Sequence, residues 1–288
     1  MRHLAVENIH KPALQDFKRN RVVMDGPYCR PPAADDPKPP ADLPVFVFVA
    51  GVEGAGHHAL VSVWETLQAH NVPLELIVFD QTFHSLGIEN HASYHYSSIL
   101  LQRHFESMKP IFDKARKNKA IVVDAQNSYP MGAYAGSLAH PDLLYLQEFD
   151  GILYDLRVIA LYRDPTDAVL SAVRRFYGEG ESAYKTPGFQ ARMVSESLVN
   201  INNNLPHLPC GKWMMMKYED FVSNPRQFSG PFSRLLKVPK QSLEHAFDRV
   251  RRPPSRVEDE LLAKARPVLD DFFSRQKALW PLLAAAAE

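Results

Sequence analysis

The sequence predicts an α/β fold in three layers, in which a mainly parallel central sheet lies between layers of helices. Strand-like apolar runs occur near residues 45–50, 75–80, 120–125, 157–162 and 212–217. Apolar residues recur at the helical period near residues 57–70, 97–117, 141–154, 165–177, 189–205 and 256–279. Strands that alternate with helices in this way are typical of crossover connections, which set strands parallel and cover both faces of the sheet.

Each predicted strand is followed by a polar or glycine-containing loop. The first strand, Val45 to Val49, is apolar throughout and runs into glycines. The second and third apolar runs end at Asp80 and Asp124, and a later run ends at Arg163. Ligands of parallel sheets bind beyond the carboxyl ends of the strands, so these loops are the expected place for functional residues.

The composition predicts one large domain with an N-terminal extension. The chain has 288 residues, 45% of them hydrophobic, which is enough for a full core. Seven prolines between Pro27 and Pro44 predict an extended tether. We therefore expect an extension over residues 1–44 and an α/β domain over residues 45–283.

Charge and hydropathy predict a soluble, cytoplasmic protein. Lys plus Arg and Asp plus Glu both number 33, so no overall basic field favours nucleic acid. The chain has no apolar run of membrane-spanning length and no signal-peptide core at its start, so no membrane insertion is expected. Its two cysteines, without a C-x-x-C motif, predict neither a disulfide framework nor a zinc site.

The loop after the first strand predicts an anion site. Glycines at positions 51, 54 and 56 precede a helical pattern, and such a loop aims backbone N–H groups and a helix N-terminus at an anion. The spacing from Gly51 to Gly56 is that of a Walker A loop, which predicts a P-loop-type nucleotide-binding topology for the sheet. The Lys and Ser/Thr of that motif are replaced by His57 and His58. We therefore expect a phosphate-bearing ligand that is held without a metal.

A second anion signal follows a later strand. Arg163 ends the strand, Asp164 is a good N-cap, and Pro165 suits the first helical position. Ser171 falls on the second turn of the predicted helix, where its hydroxyl and the Arg163 guanidinium are expected to grip one phosphate. The alternative interpretation is that Arg-Asp-Pro only starts a helix.

In this order, the motifs resemble the sulfotransferase superfamily, whose members use 3′-phosphoadenosine 5′-phosphosulfate (PAPS). The first family motif, a loop after strand one, is matched by Gly51 to His58 in position and in its final glycine. Arg163 and Ser171 match the second motif, an Arg followed eight residues later by a Ser. The stretch 213–221, with Asn224-Pro225 after it, is similar to the family's strand ending in Tyr-Glu-Asp.

The resemblance implies that a sulfuryl group moves from PAPS to a hydroxyl or amine of a small-molecule or glycan acceptor. Where the family's first motif has a Lys or Arg, this chain has Gly54, so His57 or His58 is the expected catalytic cation. Arg251 and Arg252 lie in a basic loop that stands at the place of the family's C-terminal Arg-Lys-Gly element, or they form a solvated surface patch. The predicted donor-binding residues are Gly51, Glu53, Gly54, Ala55, Gly56, His57, His58, Arg163, Ser171, Arg251 and Arg252.

The general base is expected after the second or third strand. Asp80 and His84 follow the second strand, and Asp124 ends the third. A zinc site is not expected, because the spacing of His84, His91 and His95 is not that of a compact metal site. Two other functions stay open. One is a magnesium-dependent kinase, with Asp80 or Asp124 as the metal ligand, and the other is a non-catalytic nucleotide-binding module.

Overall fold

The computed structural model of the protein describes residues 40–77, 98–124, 132–134, 137–138, 143–176, 186–250 and 260–285. Within them, five parallel strands form the central sheet: β1 (Val45–Gly51), β2 (Leu74–Ile77), β3 (Ile121–Asp124), β6 (Asp155–Tyr162) and β7 (Trp213–Lys217). β4 (Gly132–Tyr134) and β5 (Ser137–Leu138) form a separate antiparallel pair. The predicted α/β class, with its parallel central sheet, is confirmed.

The strand order places β1 at the centre of the sheet. The strands lie in the order β2-β3-β1-β6-β7, so β1 pairs with β3 on one side and with β6 on the other. Phe46 of β1 is in register with Val122 of β3 and with Leu156 of β6. The connection after β1 therefore leads to β2 on one side of the sheet, whereas the connection after β6 leads to β7 on the other. In open α/β sheets, such a switch point is where ligands bind.

Helices connect and flank the strands. They are α1 (His57–Ala69), α2 (Ser98–Asn118), α3 (Leu143–Gln147), α4 (Pro165–Phe176), α5 (Pro187–Asn204), α6 (Tyr218–Ser223), α7 (Ser229–Leu236), α8 (Lys240–Phe247), α9 (Glu260–Gln276) and α10 (Pro281–Ala285). Five of these helices correspond to predicted ones, with ends that differ by a few residues: α1, α2, α4, α5 and α9.

Two parts of the chain differ from the prediction. The helix predicted over 141–154 is shorter, because α3 ends at Gln147 and a turn with Gly151 at φ 82° follows it. The short helices α6, α7 and α8 were not predicted. Each has six to eight residues, and Pro225, Pro231 and Pro239 interrupt the segment, so no helical period is sustained there.

The core is built around β1. Every residue of β1 is buried, which explains its uninterrupted apolar sequence. The Phe46 ring lies 5.4 Å from the ring of Phe112 on α2 and 4.9 Å from that of Tyr154. These tilted and edge-on contacts pack one face of the central strand firmly and fix where its carboxyl end lies.

A buried carboxylate orders the amino end of β6, opposite the glycine loop. Asp155 is 4% exposed and pairs with Lys212, with Arg157 (2.7 Å) and with Lys237 (2.9 Å). Burial alone would raise the pKa of Asp155, but the hydrogen bonds and charges of these three cations outweigh burial and lower the pKa to about 2. The network joins β6 to the turns before β7 and after α7.

Acid should weaken the fold through Asp155. Because its folded pKa lies below the ordinary 3.8, the ionised group stabilises the fold above that pH, and this contribution of roughly 2 kcal/mol is lost as the pH falls towards about 2. Asp155→Asn should lower the free energy of unfolding at pH 7 by about 3 kcal/mol, because it leaves the largely buried Arg157 without its carboxylate and Lys212 with Asp150 alone. Urea unfolding across this pH range measures both effects.

The matched control is Asp113→Asn, which removes an exposed carboxylate of α2 that pairs with Lys109. It should change stability by less than about 1 kcal/mol. The account is contradicted if Asp155→Asn keeps the acid dependence of the wild type.

One described cysteine is disulfide-bonded, and a single bond does not contradict the prediction that the chain has no disulfide framework. Cys210 is disulfide-bonded, while Cys29, the other cysteine of the sequence, lies outside the described residues. Disulfides are typical of oxidising compartments, so the cytoplasmic location stays a prediction that this bond does not favour.

No helix within the described ranges combines the length and apolar character needed to cross a membrane. The division at residue 44 also stays a prediction, because residues 1–39 lie outside those ranges.

Candidate functional site

The glycine loop, residues 51–56, joins β1 to α1 through a tight turn. Ala55 N donates a hydrogen bond to Val52 O (3.0 Å), which closes a four-residue turn. Gly54, the third residue of the turn, has φ 79°, a left-handed conformation that glycine adopts without strain. A Cβ on Gly54 would lie 2.1 Å from Ala168 O of α4, so the loop packs directly on that helix. Glycine is therefore required here for both conformation and contact.

The N-terminus of α1 suits a negatively charged ligand. Its N-cap is Gly56 (φ 104°), which offers no side-chain cap, and the first turn has no acidic residue. A helix start attracts anions through its N–H groups and its dipole. The N–H groups of Ala55 and Ala59 are engaged within the loop and the helix, since they donate to Val52 O and Gly56 O. Ala55 thus shapes the loop through its backbone rather than by offering its N–H to a ligand.

The two histidines that begin α1 have different surroundings. His57 is 5% exposed, and its imidazole lies against Gly51, where an added Cβ would be 3.1 Å from His57 Nε2. His58 is exposed to solvent. The structure therefore places one imidazole beside the carboxyl end of β1 and the next at the surface.

Arg163 joins the two predicted anion-binding segments. It directly follows β6, and its Nη1 donates a hydrogen bond to Gly54 O (2.8 Å) in the glycine loop. Its guanidinium carbon lies 4.8 Å from the centre of the Tyr218 ring, a cation–π contact. Tyr218 also touches the loop, because a Cβ on Gly56 would lie 2.3 Å from its ring carbons. Strand end, tyrosine ring and glycine loop are thus packed together.

Ser171 is half-buried on α4, one turn beyond the residue that contacts the glycine loop. Asp164 caps α4 as predicted, since its Oδ1 accepts a hydrogen bond from Asp167 N (3.0 Å), and Pro165 is the first helical residue. Ala168 contacts Gly54, and Ser171 is three residues further on, which places it on the same face one turn away. The helix that packs on the glycine loop thus carries Ser171, and a phosphate contact that Ser171 shares with Arg163 stays a prediction.

The start of α4 is held in place by α9. Thr166 Oγ1 donates to Asp270 Oδ1 (2.6 Å), and Arg266 Nη2 donates to Asp167 Oδ1 (2.8 Å). Thr166 is buried, so its hydroxyl needs such a partner. The helix that carries Ser171 is thus tied at its first turn to the C-terminal part of the chain.

Glu219 is a site residue that sequence reasoning missed. Its Oε1 lies 3.9 Å from Arg163 Nε, and its side chain is 40% exposed. Burial raises the pKa of Glu219, with a smaller contribution from Asp167 in the same direction, against the lowering effects of a backbone hydrogen bond, Arg163 and Lys217. The Tyr-Glu-Asp motif signalled that this segment matters, but it did not show that the glutamate faces the arginine.

The other predicted site residues are distributed as follows. Glu53 is half-buried in the turn, and Asp124 is buried at the carboxyl end of β3, in register with Phe48 of β1. Among the described residues, no group of three or more potential ligands is arranged for a metal ion. Six residues named in the sequence analysis lie outside the described part of the chain: Asp80, His84, His91, His95, Arg251 and Arg252.

Alanine at Gly54 should disrupt both the loop and its contact with α4. Gly54→Ala combines a positive φ with a 2.1 Å approach to Ala168 O, and we expect a loss of about 3 kcal/mol or more in the free energy of unfolding. Two control glycines separate these causes. Gly211→Ala has a positive φ in open space and should cost roughly 1 kcal/mol, whereas Gly188→Ala in α5 has neither problem and should be neutral or slightly stabilising. Equal losses for positions 54 and 211 in urea unfolding would contradict the packing account.

Comparison with known proteins identifies the family. The model of the sulfotransferase family matches residues 58–238. Three solved structures are similar to the chain at 16% identity. The sulfotransferase domain from the curacin biosynthetic pathway has a TM-score of 0.43, with 78% of this chain and 98% of that chain covered. The sulfotransferase domain from the Synechococcus PCC 7002 olefin synthase has a TM-score of 0.42, with 85% and 98% covered. The sulfotransferase from Alicyclobacillus acidocaldarius has a TM-score of 0.45, with 83% and 94% covered.

The comparison with curated proteins finds no significant match. The family model spans more than half of the chain, from the start of α1 to the residues after α7. The protein belongs to the sulfotransferase family.

Proposed function

We propose that the protein transfers a sulfuryl group from PAPS to a hydroxyl or amine of a small-molecule or glycan acceptor. The hydrogen bond from Arg163 to Gly54 carries the proposal, because it joins the two segments that the sequence predicts to bind the phosphates of the donor. Both segments lie at the carboxyl ends of β1 and β6, beside the switch point of the sheet.

The residues at this site fit an anionic nucleotide. The glycines let the loop pack closely on Ala168 and Tyr218, and the start of α1 beside it offers the positive end of a helix dipole to an anion. Arg163 uses one N–H on Gly54 and its buried Nε faces Glu219, so the remaining N–H groups of Nη1 and Nη2 are the ones left for a ligand. A bidentate arginine is the side chain best suited to bind a phosphate.

PAPS supplies the sulfuryl group: a bond forms from the acceptor to sulfur while the bond from sulfur to the bridging oxygen breaks, and adenosine 3′,5′-bisphosphate leaves. The proposed role of the chain is to hold the nucleotide, to neutralise the charge that develops on the bridging oxygen and to accept the proton of the acceptor. Asp80 and His84 are the proposed bases. A sulfuryl group carries less charge than a phosphoryl group, so backbone donors and one or two cations suffice without a metal clamp.

The 3′-phosphate tests the proposal through Arg163. Arg163→Ala should weaken binding of adenosine 3′,5′-bisphosphate by about 2 kcal/mol or more, because a charge-assisted contact is lost. Adenosine 5′-phosphosulfate lacks the 3′-phosphate, so its affinity should change little. Calorimetric titration of both ligands in EDTA gives the two affinities.

The matched control is Arg192→Ala, which removes an exposed arginine on α5 and should leave both affinities unchanged. Equal losses for both ligands in Arg163→Ala would show that Arg163 acts through the glycine loop and not on the 3′-phosphate. Binding of ATP with Mg²⁺ but not of adenosine 3′,5′-bisphosphate would favour the kinase alternative.

The histidines should make sulfuryl transfer sensitive to alkali. A histidine can stabilise the bridging oxygen as a cation only while its imidazole is protonated, so its contribution should decrease as the pH rises. His57→Lys keeps a charge above neutral pH and should flatten the alkaline limb of the rate profile. The double variant His57→Ala/His58→Ala should lower the turnover number at least about 100-fold.

The control for the double variant is His70→Ala/His245→Ala. These two exposed rings contact each other at the end of α1 and on α8, with centroids 4.1 Å apart. This control should keep the wild-type turnover number. If the His57/His58 double variant folds and also keeps it, neither histidine supplies the charge.

A further inference from the structure

We propose that Glu219 is the counter-charge of Arg163, and that it limits the affinity of the site for anions and makes that affinity depend on pH. The inference deepens the proposed function, on which it rests. Its consequence concerns the bisphosphate product, which carries several negative charges and has to leave the site after each turnover.

The pair of Glu219 and Arg163 is close but incomplete. Their nearest atoms, Oε1 and Nε, lie 3.9 Å apart, which is within ion-pair range and too far for a hydrogen bond. Among the described residues, neither Glu219 Oε2 nor Arg163 Nε has a hydrogen-bond partner, although both atoms are buried. A complete pair would bring these atoms together. The carboxylate thus reduces the positive potential of the guanidinium without occupying its donors.

Two contacts and partial burial hold Arg163 close to Glu219. Its Nη1 is held by Gly54 O, its face lies on the Tyr218 ring, and its side chain is 21% exposed. It therefore cannot move away from Glu219 when a ligand arrives without losing the contacts that shape the glycine loop. An anion bound to Arg163 is consequently held near the Glu219 carboxylate, and the two negative charges repel each other.

The other charged groups around Glu219 do not cancel this repulsion. Lys217 at the end of β7 favours the ionised carboxylate, whereas Asp167 in the first turn of α4 opposes it. Tyr162 stays neutral, because burial, Asp164 and Glu219 raise its pKa. Burial already raises the pKa of Glu219 in the free protein. A bound anion adds a further negative charge and raises this pKa more, so anion binding is linked to proton uptake by Glu219.

The sign of the pH dependence follows from this linkage. Above its pKa, Glu219 is ionised and opposes the anion, so binding is weaker. As the pH falls through the pKa of Glu219, which lies above the ordinary 4.5, the carboxyl group becomes neutral and affinity rises. At neutral pH, the ionised carboxylate therefore favours release of the bisphosphate.

The test is calorimetric titration of the full-length protein with adenosine 3′,5′-bisphosphate between pH 5 and pH 8. Glu219→Gln keeps the shape of the side chain and removes the charge, and it should tighten binding about fivefold at neutral pH. The ratio of the two affinities should shrink towards one as the pH falls and the wild-type carboxyl group becomes protonated. The ligand's own phosphates also lose charge towards pH 5, so a second anion of constant charge is needed as a control.

Three further measurements complete the design. Glu244→Gln makes the same change on α8, where Glu244 pairs with Lys240, and it should leave binding unchanged. Glu219→Asp keeps the charge but moves it away by one methylene group, and it should give an intermediate gain if the glutamine variant does not fold. Inorganic sulfate, whose charge is constant over this pH range, should show the same ratio as the bisphosphate.

The outcomes separate the inference from the proposed function. Weaker or unchanged binding by Glu219→Gln, or a gain that does not depend on pH, would overturn the role of Glu219 while leaving PAPS as the donor. In another outcome, the wild-type protein binds sulfate but not adenosine 3′,5′-bisphosphate, while Glu219→Gln binds sulfate more tightly. That result would support the role of Glu219 and contradict PAPS as the donor. A wild-type protein that binds neither ligand overturns both.

Discussion

The site depends on one hydrogen bond, from Arg163 Nη1 to Gly54 O. It ties the end of β6 to the glycine loop after β1, two segments that lie 109 residues apart in the chain. The bond is possible because Gly54 adopts a positive φ and packs on Ala168 of α4 without a Cβ. The Tyr218 ring then supports both partners, touching Gly56 and the Arg163 guanidinium. The conformation of the glycine loop and the position of the Arg163 guanidinium therefore depend on each other.

Charge is distributed differently at the two ends of β6. At its amino end, three cations neutralise Asp155, and the carboxylate is stabilised in its ionised form. At its carboxyl end, Arg163 faces Glu219 without a hydrogen bond between them, and burial destabilises the ionised carboxylate. The first arrangement is complete and suits a structural role. The second leaves donors and a charge imbalance that a ligand can use, which is typical of a functional site.

The sequence predicted the central strands well because buried parallel strands have continuous apolar runs, as β1 does. Arg163 and the glycine loop were also predictable, because strand ends and glycine spacing are local signals. The contact of Tyr218 with Gly56 and the approach of Glu219 to Arg163 were not, because they depend on how β7 pairs with β6. The short helices α6 to α8 could not be predicted because their sequences lack a sustained helical period. The hydrogen bond of the Ala55 N–H within the turn could not be predicted either, because it depends on the backbone conformation of the loop.

The most direct test of the central claim, that this site binds a PAPS-type nucleotide without a metal, is a thermal-shift comparison. A ligand that binds the native state raises the melting temperature, by an amount that increases with the logarithm of its concentration relative to its Kd. The account predicts a clear rise with adenosine 3′,5′-bisphosphate in EDTA, and a smaller one with ATP and Mg²⁺ at equal concentration. A rise with ATP and Mg²⁺ alone would contradict it.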